Sequence, residues 1–220
     1  MYENFERIPQ AEQQHILNAC IEEFAQKGYE QASTNAIVQQ AGIPKGTLFF
    51  FFGNKKDLYL YVIDHVVTLY AMTALQTPGE LPDDLFERLI YLGQERMKFA
   101  LSQPQLYKLF FNAFINAPED IQAELRKRYA AYYTPSMQML TAGLDRSRFK
   151  PEVDVDKLIE LIYLILEGIL SKSVPALQQL KPAEALGIVE KLFVECDDYF
   201  AMIRQGVHHE GIPAVPANKK

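Results

Sequence analysis

ILNACIEEFAQKGYEQASTNAIVQQAGIPKGTLFFFFGNKKDLY, residues 16–59, holds a series of helical segments punctuated by glycine stops. Ile16, Leu17, Cys20, Ile21 and Phe24 recur at helical spacing, so they form one apolar face of a helix that starts near Gln10 and ends at Gly28. Ser33 and Thr34 offer a side-chain cap to a second, short helix that buries Ile37, Val38 and Ala41 and stops at Gly42. A third helix runs from about Pro44 to Phe52. After Gly53 and Asn54 a fourth begins near Lys55, with Leu58, Tyr59, Val62, Ile63, Val66 and Leu69 periodic. Two short helices around the tight turn Gly42-Ile43-Pro44 make a helix-turn-helix, whose first element crosses a phosphate backbone while the second enters the major groove.

Four consecutive phenylalanines, 49–52, sit on the second of those helices. A period of 3.6 residues spreads them around the axis, so at least one faces outward, toward a partner. Gly46 keeps the front of that helix slim where it approaches DNA, Thr47 offers a hydroxyl to a phosphate, and Lys45 stands at its exposed start. Lys55 and Lys56 fall at the N-terminus of the fourth helix, where free N–H groups favour an anion, so one phosphate is expected between them.

The run resembles the head of the TetR repressor family nearly position by position: the first helical face, Gly28-Tyr29, Ser33-Thr34, Ala41-Gly42, Gly46-Thr47-Leu48, Phe52, and Asn54 to Leu58. The resemblance implies DNA contacts at Thr34, Lys45, Thr47, Phe49, Phe50, Phe51 and Lys55; the chemistry above adds Gly46 and Lys56. Pro44 departs from the family's frequent capping serine, although proline suits a helix's first turn. Phe49 and Phe51 replace residues that are often tyrosine or histidine, so contacts from Phe49 or Phe50 would be apolar, for instance against thymine methyls.

Charge speaks against a simple electrostatic DNA binder. The formal charge is −6, and residues 1–60 hold five basic against seven acidic side chains. Three of those cations, however, lie at positions 45, 55 and 56, with Asp57 the nearest acid. A local basic patch remains for phosphates.

Beyond residue 60 the pattern stays helical, and no strand alternation persists. Residues 78–84, PGELPDD, read as a linker. Helices are expected over 84–102, 104–116 and 119–148, the last kinked or split by Pro135, then over 155–174 and 183–204. The fold class is therefore all-α: a three-helix head joined by a fourth helix to a helical-bundle body. The expected division is 1–54 for DNA binding, 55–206 for regulation and dimerisation with 55–76 as connecting helix, and 207–220 as a loose tail.

Helix 155–174 is apolar on more than one face. With the stripe on 183–204 it resembles the helix pair by which family members form a four-helix dimer interface. Leu158, Ile162, Ile165, Ile169, Val189, Leu192, Phe193, Cys196 and Phe200 are the residues expected there. Tyr91, Met97, Phe110, Phe114, Tyr133, Met137 and Tyr163, with Arg96 and Glu167 as polar anchors, are candidates to line a pocket for an apolar or aromatic effector. By resemblance, such a molecule favours a body conformation with the heads wrongly spread, and so releases the operator.

Other chemistry finds little footing. Two cysteines make no disulfide framework, and the polar opening MYENFERIPQAEQQ is no secretory leader, so the cytoplasm is the expected location. The most apolar window, 158–170, contains Glu160 and Glu167 and is shorter than the roughly 18 residues a bilayer span needs, so no membrane association is expected. His208-His209 lacks the spacing of a metal site, and no phosphate loop or activated nucleophile appears, so neither cofactor nor catalysis is expected. The reading is a homodimeric repressor of a palindromic operator, controlled by a small molecule. The alternative is an all-helical enzyme or small-molecule carrier whose head only packs on the rest.

Overall fold

Apolar side chains at helical spacing fold into ten α-helices in a computed structural model that describes residues 2–75, 81–115, 117–177 and 182–207. In order they are α1 (Glu3–Glu6), α2 (Gln10–Gln31), α3 (Thr34–Ala41), α4 (Lys45–Phe52), α5 (Lys55–Leu75), α6 (Leu85–Ser102), α7 (Pro104–Ile115), α8 (Gln122–Thr141), α9 (Val155–Leu177) and α10 (Pro182–Val207). Short 3₁₀ turns occur at Glu119–Ile121 and Arg146–Arg148. The chain divides into two compact units, 1–76 with 102–137 and 77–101 with 138–220. This division by packing differs from the division by function expected at residue 54, because α5 and α7 both pack on α2.

In the first unit α2 is the central element, touching α3, α5 and α7. Ile16, Cys20 and Phe24 of α2 are buried with Ile37 of α3, Leu48 and Phe52 of α4, and Leu58, Val62 and Ile63 of α5. Gly28 adopts φ 71°, which interrupts α2 where the sequence places its end and leaves one further turn to Gln31. Two ion pairs tie α5 to α8: Lys56 to Glu124 at 2.5 Å and Asp64 to Arg128 at 2.7 Å. Beside them, rings from α5, α7 and α8 form an aromatic cluster, with Tyr70 and Phe110 centred 4.3 Å apart and Tyr132 within 5.9 Å of both. Cys20 is a free thiol in this core, and burial pushes its pKa up to about 12, leaving it unreactive near neutrality.

The second unit is organised around two buried charges. Asp84 caps α6, its Oδ1 accepting from the Phe86 and Glu87 amides at 3.0 and 3.2 Å. The same carboxylate meets Arg204 of α10 at 3.3 Å and Arg148 at 3.4 Å. Arg88 donates to the carbonyls of Pro82, Leu140 and Ala142 at 2.7, 2.8 and 2.7 Å. One carboxylate and one guanidinium thereby join the start of α6 to the end of α8, the Arg146–Arg148 turn and the end of α10. Ring contact between Phe86 and Phe200, 5.6 Å between centroids, packs α6 against α10 alongside.

Several boundaries differ from expectation. The sequence holds no helical period long enough to announce α1. Helix α8 runs through Pro135 unsplit and ends at Thr141, short of residue 148; in the turn that contains the proline, Ser136 Oγ donates to the Tyr132 carbonyl at 2.9 Å. Within the linker, residues 81–84 are non-helical, whereas 78–80, the tail from 208 and His208-His209 lie outside the described residues.

Replacing Asp84 with alanine strands two guanidinium groups and two helix-end amides, so a loss of about 3 kcal/mol is expected. Asp84→Asn, which keeps an acceptor, is expected to fall between that variant and the parent. The denaturant midpoint measures both; a shift below about 1 kcal/mol for alanine would refute the importance of this carboxylate.

Candidate nucleic-acid interface

Local sequence sets the geometry of the reading motif. Ser33 caps α3, its Oγ accepting from the Ala36 amide at 3.4 Å, while its own amide donates to the Glu23 carboxylate at 2.8 Å and fixes α3 to α2. Gln40 adds a hydrogen bond to Glu22. At the other end, Gly42 at φ 63° closes a Schellman motif, the Gly42 and Ile43 amides donating to the Gln39 and Val38 carbonyls. Pro44 then leads in extended conformation into α4 without a side-chain cap. Asn54 caps α5 through the Asp57 amide at 2.9 Å, and Asp57 accepts in return from the Asn54 side chain at 2.7 Å.

Helix α4 has two unlike sides. Leu48, Phe51 and Phe52 are buried. Lys45, Gly46 and Phe50 are exposed, and Thr47 and Phe49 half-buried, as is Thr34 at the start of α3. Phe50 is 66% exposed, the outward phenylalanine that helical geometry requires. Lys45 Nζ sits 5.8 Å from the Phe49 ring centroid, so the cation and this ring share a strip.

Phe51 corrects an expected DNA contact. It is only 8% exposed, and its ring packs 5.5 Å from Phe5, centroid to centroid. Phe5, fully buried, also meets Phe52 at 4.7 Å and Tyr61 at 5.5 Å, and Tyr2 meets Phe52 and Tyr61. Short helix α1 thus backs the reading helix, a role that the sequence alone does not disclose; the Tyr2-to-Phe5 spacing is its one available signal.

The phosphate site expected between Lys55 and Lys56 also needs correction. Lys55 Nζ donates to the Glu30 carbonyl at 2.9 Å and lies 5.3 Å from the Tyr29 ring centroid. Lys56 pairs with Glu124, whose hydrogen bond raises the lysine pKa and lowers that of the glutamate. Each ammonium has its own intramolecular acceptor, so the structure does not converge them on one point.

Other expected residues scatter. Phe110, Phe114, Tyr133 and Met137 belong to the first unit, where Phe110 and Phe114 lie 5.0 Å apart within the aromatic cluster and Tyr129 stacks on Tyr133 at 5.8 Å. Tyr91, Arg96 and Met97 stand on α6 in the second unit, Met97 buried and the other two half-buried. The side chains of Tyr163 and Glu167 lie outside the described residues. A groove of about 570 Å³ beside Phe24, Tyr29, Tyr59, Lys108 and Asn112 includes none of the expected pocket residues.

On α9 and α10 four of the residues expected at a dimer interface are enclosed by their own chain. Leu158, Ile162, Cys196 and Phe200 are buried within their own chain, and Ile165, Ile169 and Leu192 are half-buried. The side chains of Val189 and Phe193 lie outside the described residues. Among the described residues of the two helices, Leu161, Leu164, Ile188, Val194, Tyr199 and Met202 are the exposed large apolar ones. The stronger stripe serves the subunit's own core, and a second, weaker one faces out. Among the described residues no helix is long and apolar enough to cross a membrane, and no cluster of three potential metal ligands occurs.

A capped two-helix motif with an exposed reading face is the arrangement of a DNA-binding transcriptional regulator. Residues 16–62 match the family model for bacterial regulatory proteins of the tetR family. Transcriptional regulator AcuR of Cereibacter sphaeroides is 33% identical over 161 residues, covering 70% of this chain and 73% of that protein. The fatty acid metabolism regulator protein of Bacillus subtilis is 38% identical over 45 residues, 20% of this chain and 23% of the relative's own length. Among solved structures, a TetR family regulator from Chloroflexus aurantiacus superposes with TM-score 0.64 at 24% identity over 94% of this chain and 98% of that one. Transcriptional regulator FadR from Bacillus subtilis, solved in complex with stearoyl-CoA, gives 0.56 at 17% identity over 82% and 97%. The chain belongs to the tetR family of bacterial regulatory proteins.

Because Phe5 carries the back of α4, Phe5→Ala is expected to cost about 3–5 kcal/mol of stability. Chemical denaturation of the parent and variant checks this, and a cost below about 1 kcal/mol would mean that α1 does not support the reading helix.

Proposed function

We propose that the protein is a homodimeric repressor that grips a palindromic operator through α4 and lets go when a small molecule enters its body. The observation that carries this reading is the outer face of α4, where Lys45, Gly46 and Phe50 are exposed on a helix whose opposite side is locked into the core. Thr34, Thr47 and Phe49 flank that face. Lys55 and Lys56 contribute less, since each exchanges an intramolecular acceptor for a phosphate. Functionally, residues 1–54 read DNA, and 55–206 respond and dimerise with α5 as the connector.

Two reading helices engage successive major grooves only if symmetry holds them about 34–36 Å apart. The exposed apolar residues of α9 and α10 are suited to that pairing. The ion pairs of α5 with α8 give a route by which a displaced α8 moves the head. An apolar or aromatic effector fits the ring-rich helices α5, α7 and α8, and the likeness to FadR makes a fatty acyl thioester the first to try.

Binding of the full-length protein to its own upstream DNA, titrated at rising salt against random duplex, tests the operator reading. Lys45→Ala is expected to weaken binding and to reduce the salt slope by about one unit for each phosphate no longer neutralised, about two for a symmetric dimer. Equal affinity for the two duplexes would refute sequence recognition. An effector would raise the melting temperature while displacing the DNA.

Leu164, Val194 and Met202 are 64%, 66% and 71% exposed. Glutamate at Leu164 and Val194 together is expected to yield a folded monomer by analytical ultracentrifugation, with operator affinity abolished. A variant that stays dimeric would remove this face from the interface.

A further inference from the structure

We propose that the groove between α2 and α7 is a small-molecule site of its own, which takes an uncharged aromatic compound carrying a hydroxyl or carbonyl group. None of the residues expected to line the effector pocket belongs to it, and binding there does not depend on the DNA-binding reading. The end of α2, Tyr59 of α5, and Lys108, Leu109 and Asn112 of α7 line the groove, and all belong to the first unit. Its volume of about 570 Å³ falls inside the roughly 300–1,000 Å³ of small-molecule sites, which is ample for a compound of two or three rings.

The lining is apolar at its base. Phe24 and Leu109 are fully buried, and the Tyr59 ring, 2% exposed, lies 4.9 Å from Phe24 and 5.0 Å from Tyr29 between centroids. Tyr59 nevertheless carries an unused polar atom. Its hydroxyl has no hydrogen-bond partner among the described residues, and burial raises its pKa, so it stays a neutral donor. A phenol enclosed this far usually finds a partner, because leaving one unpaired is costly. The half-buried Asn112 side chain likewise makes no hydrogen bond to the described residues.

Charge at the rim selects against an ion. Lys27 and Lys108 are exposed there, and so are Glu30 and Glu119; none of the four forms an ion pair among the described residues. Two cations and two anions leave little net field to attract a charged molecule. What orients a ligand is then the neutral pair, Tyr59 and Asn112, beside apolar surface. A flat aromatic compound removes that surface from water, and its hydroxyl or carbonyl supplies the phenol and the amide with a partner. Because Phe24, Tyr59 and Asn112 come from α2, α5 and α7, a bound molecule ties three helices together.

The full-length protein is titrated with 2-naphthol, naphthalene and 2-naphthoate, which share one ring system, and ligand fluorescence reports binding. 2-Naphthol is expected to bind about fivefold more tightly than naphthalene, and more tightly than 2-naphthoate. Tyr59→Phe removes the hydroxyl and keeps the ring, so the free variant is expected to melt no lower than the parent. It should bind 2-naphthol about fivefold more weakly and naphthalene as before. Ala117→Trp fills the groove from a half-buried lining position and, once checked for native circular dichroism, is expected to bind neither compound. No binding of the three, equal affinity for 2-naphthol and naphthalene, or a preference for 2-naphthoate overturns the inference. A Tyr59→Phe variant that melts lower than the parent overturns it as well, since the hydroxyl would then be engaged within the chain. 2-Naphthol binding unchanged in both variants places the ligand in another pocket, which overturns this inference and leaves the effector reading standing.

Discussion

The contact of Phe5 with Phe51 and Phe52 is the constraint on which the reading head depends. An eight-residue helix is marginal alone, because nucleation is costly and few hydrogen bonds repay it. Helix α4 holds its place by burying Leu48, Phe51 and Phe52, and α1 supplies the cover that α2, α3 and α5 do not. Once that side is fixed, the helical period leaves Lys45, Gly46 and Phe50 no choice but to face outward.

The head was legible because its signals are local. Gly42 stops α3 in the left-handed region, Ser33 caps it, and the glycine at 28 interrupts α2, all within a few residues of the features they control. Helix α1 was not legible: four residues carry no period, and their partners lie at positions 51, 52 and 61. The engagement of Lys56 by Glu124 escaped for the same reason, since a pair between distant helices leaves no mark at either position.

The body illustrates a different limit. Periodicity tells that a helical stripe is covered but is silent about what covers it. Cys196 and Phe200 belong to the most continuous stripe of α10, and the subunit's own core takes both. Ile188, Val194, Tyr199 and Met202 are left outside among the helix's described residues. Asp84 falls in the expected linker and Arg88 in the expected helix 84–102, with no local signal of burial, yet the fold buries both among carbonyls and guanidinium groups.

The intramolecular pairing of Lys55 and Lys56 has a bearing on how such a regulator searches a genome. Attraction to arbitrary sequence comes mostly from cations facing phosphates, so a head with more acids than bases is expected to adhere less to it. Fewer copies are then sequestered on the millions of competing decoy positions that bacterial chromosomes offer. Occupancy of the true target can be sustained by a small cellular pool.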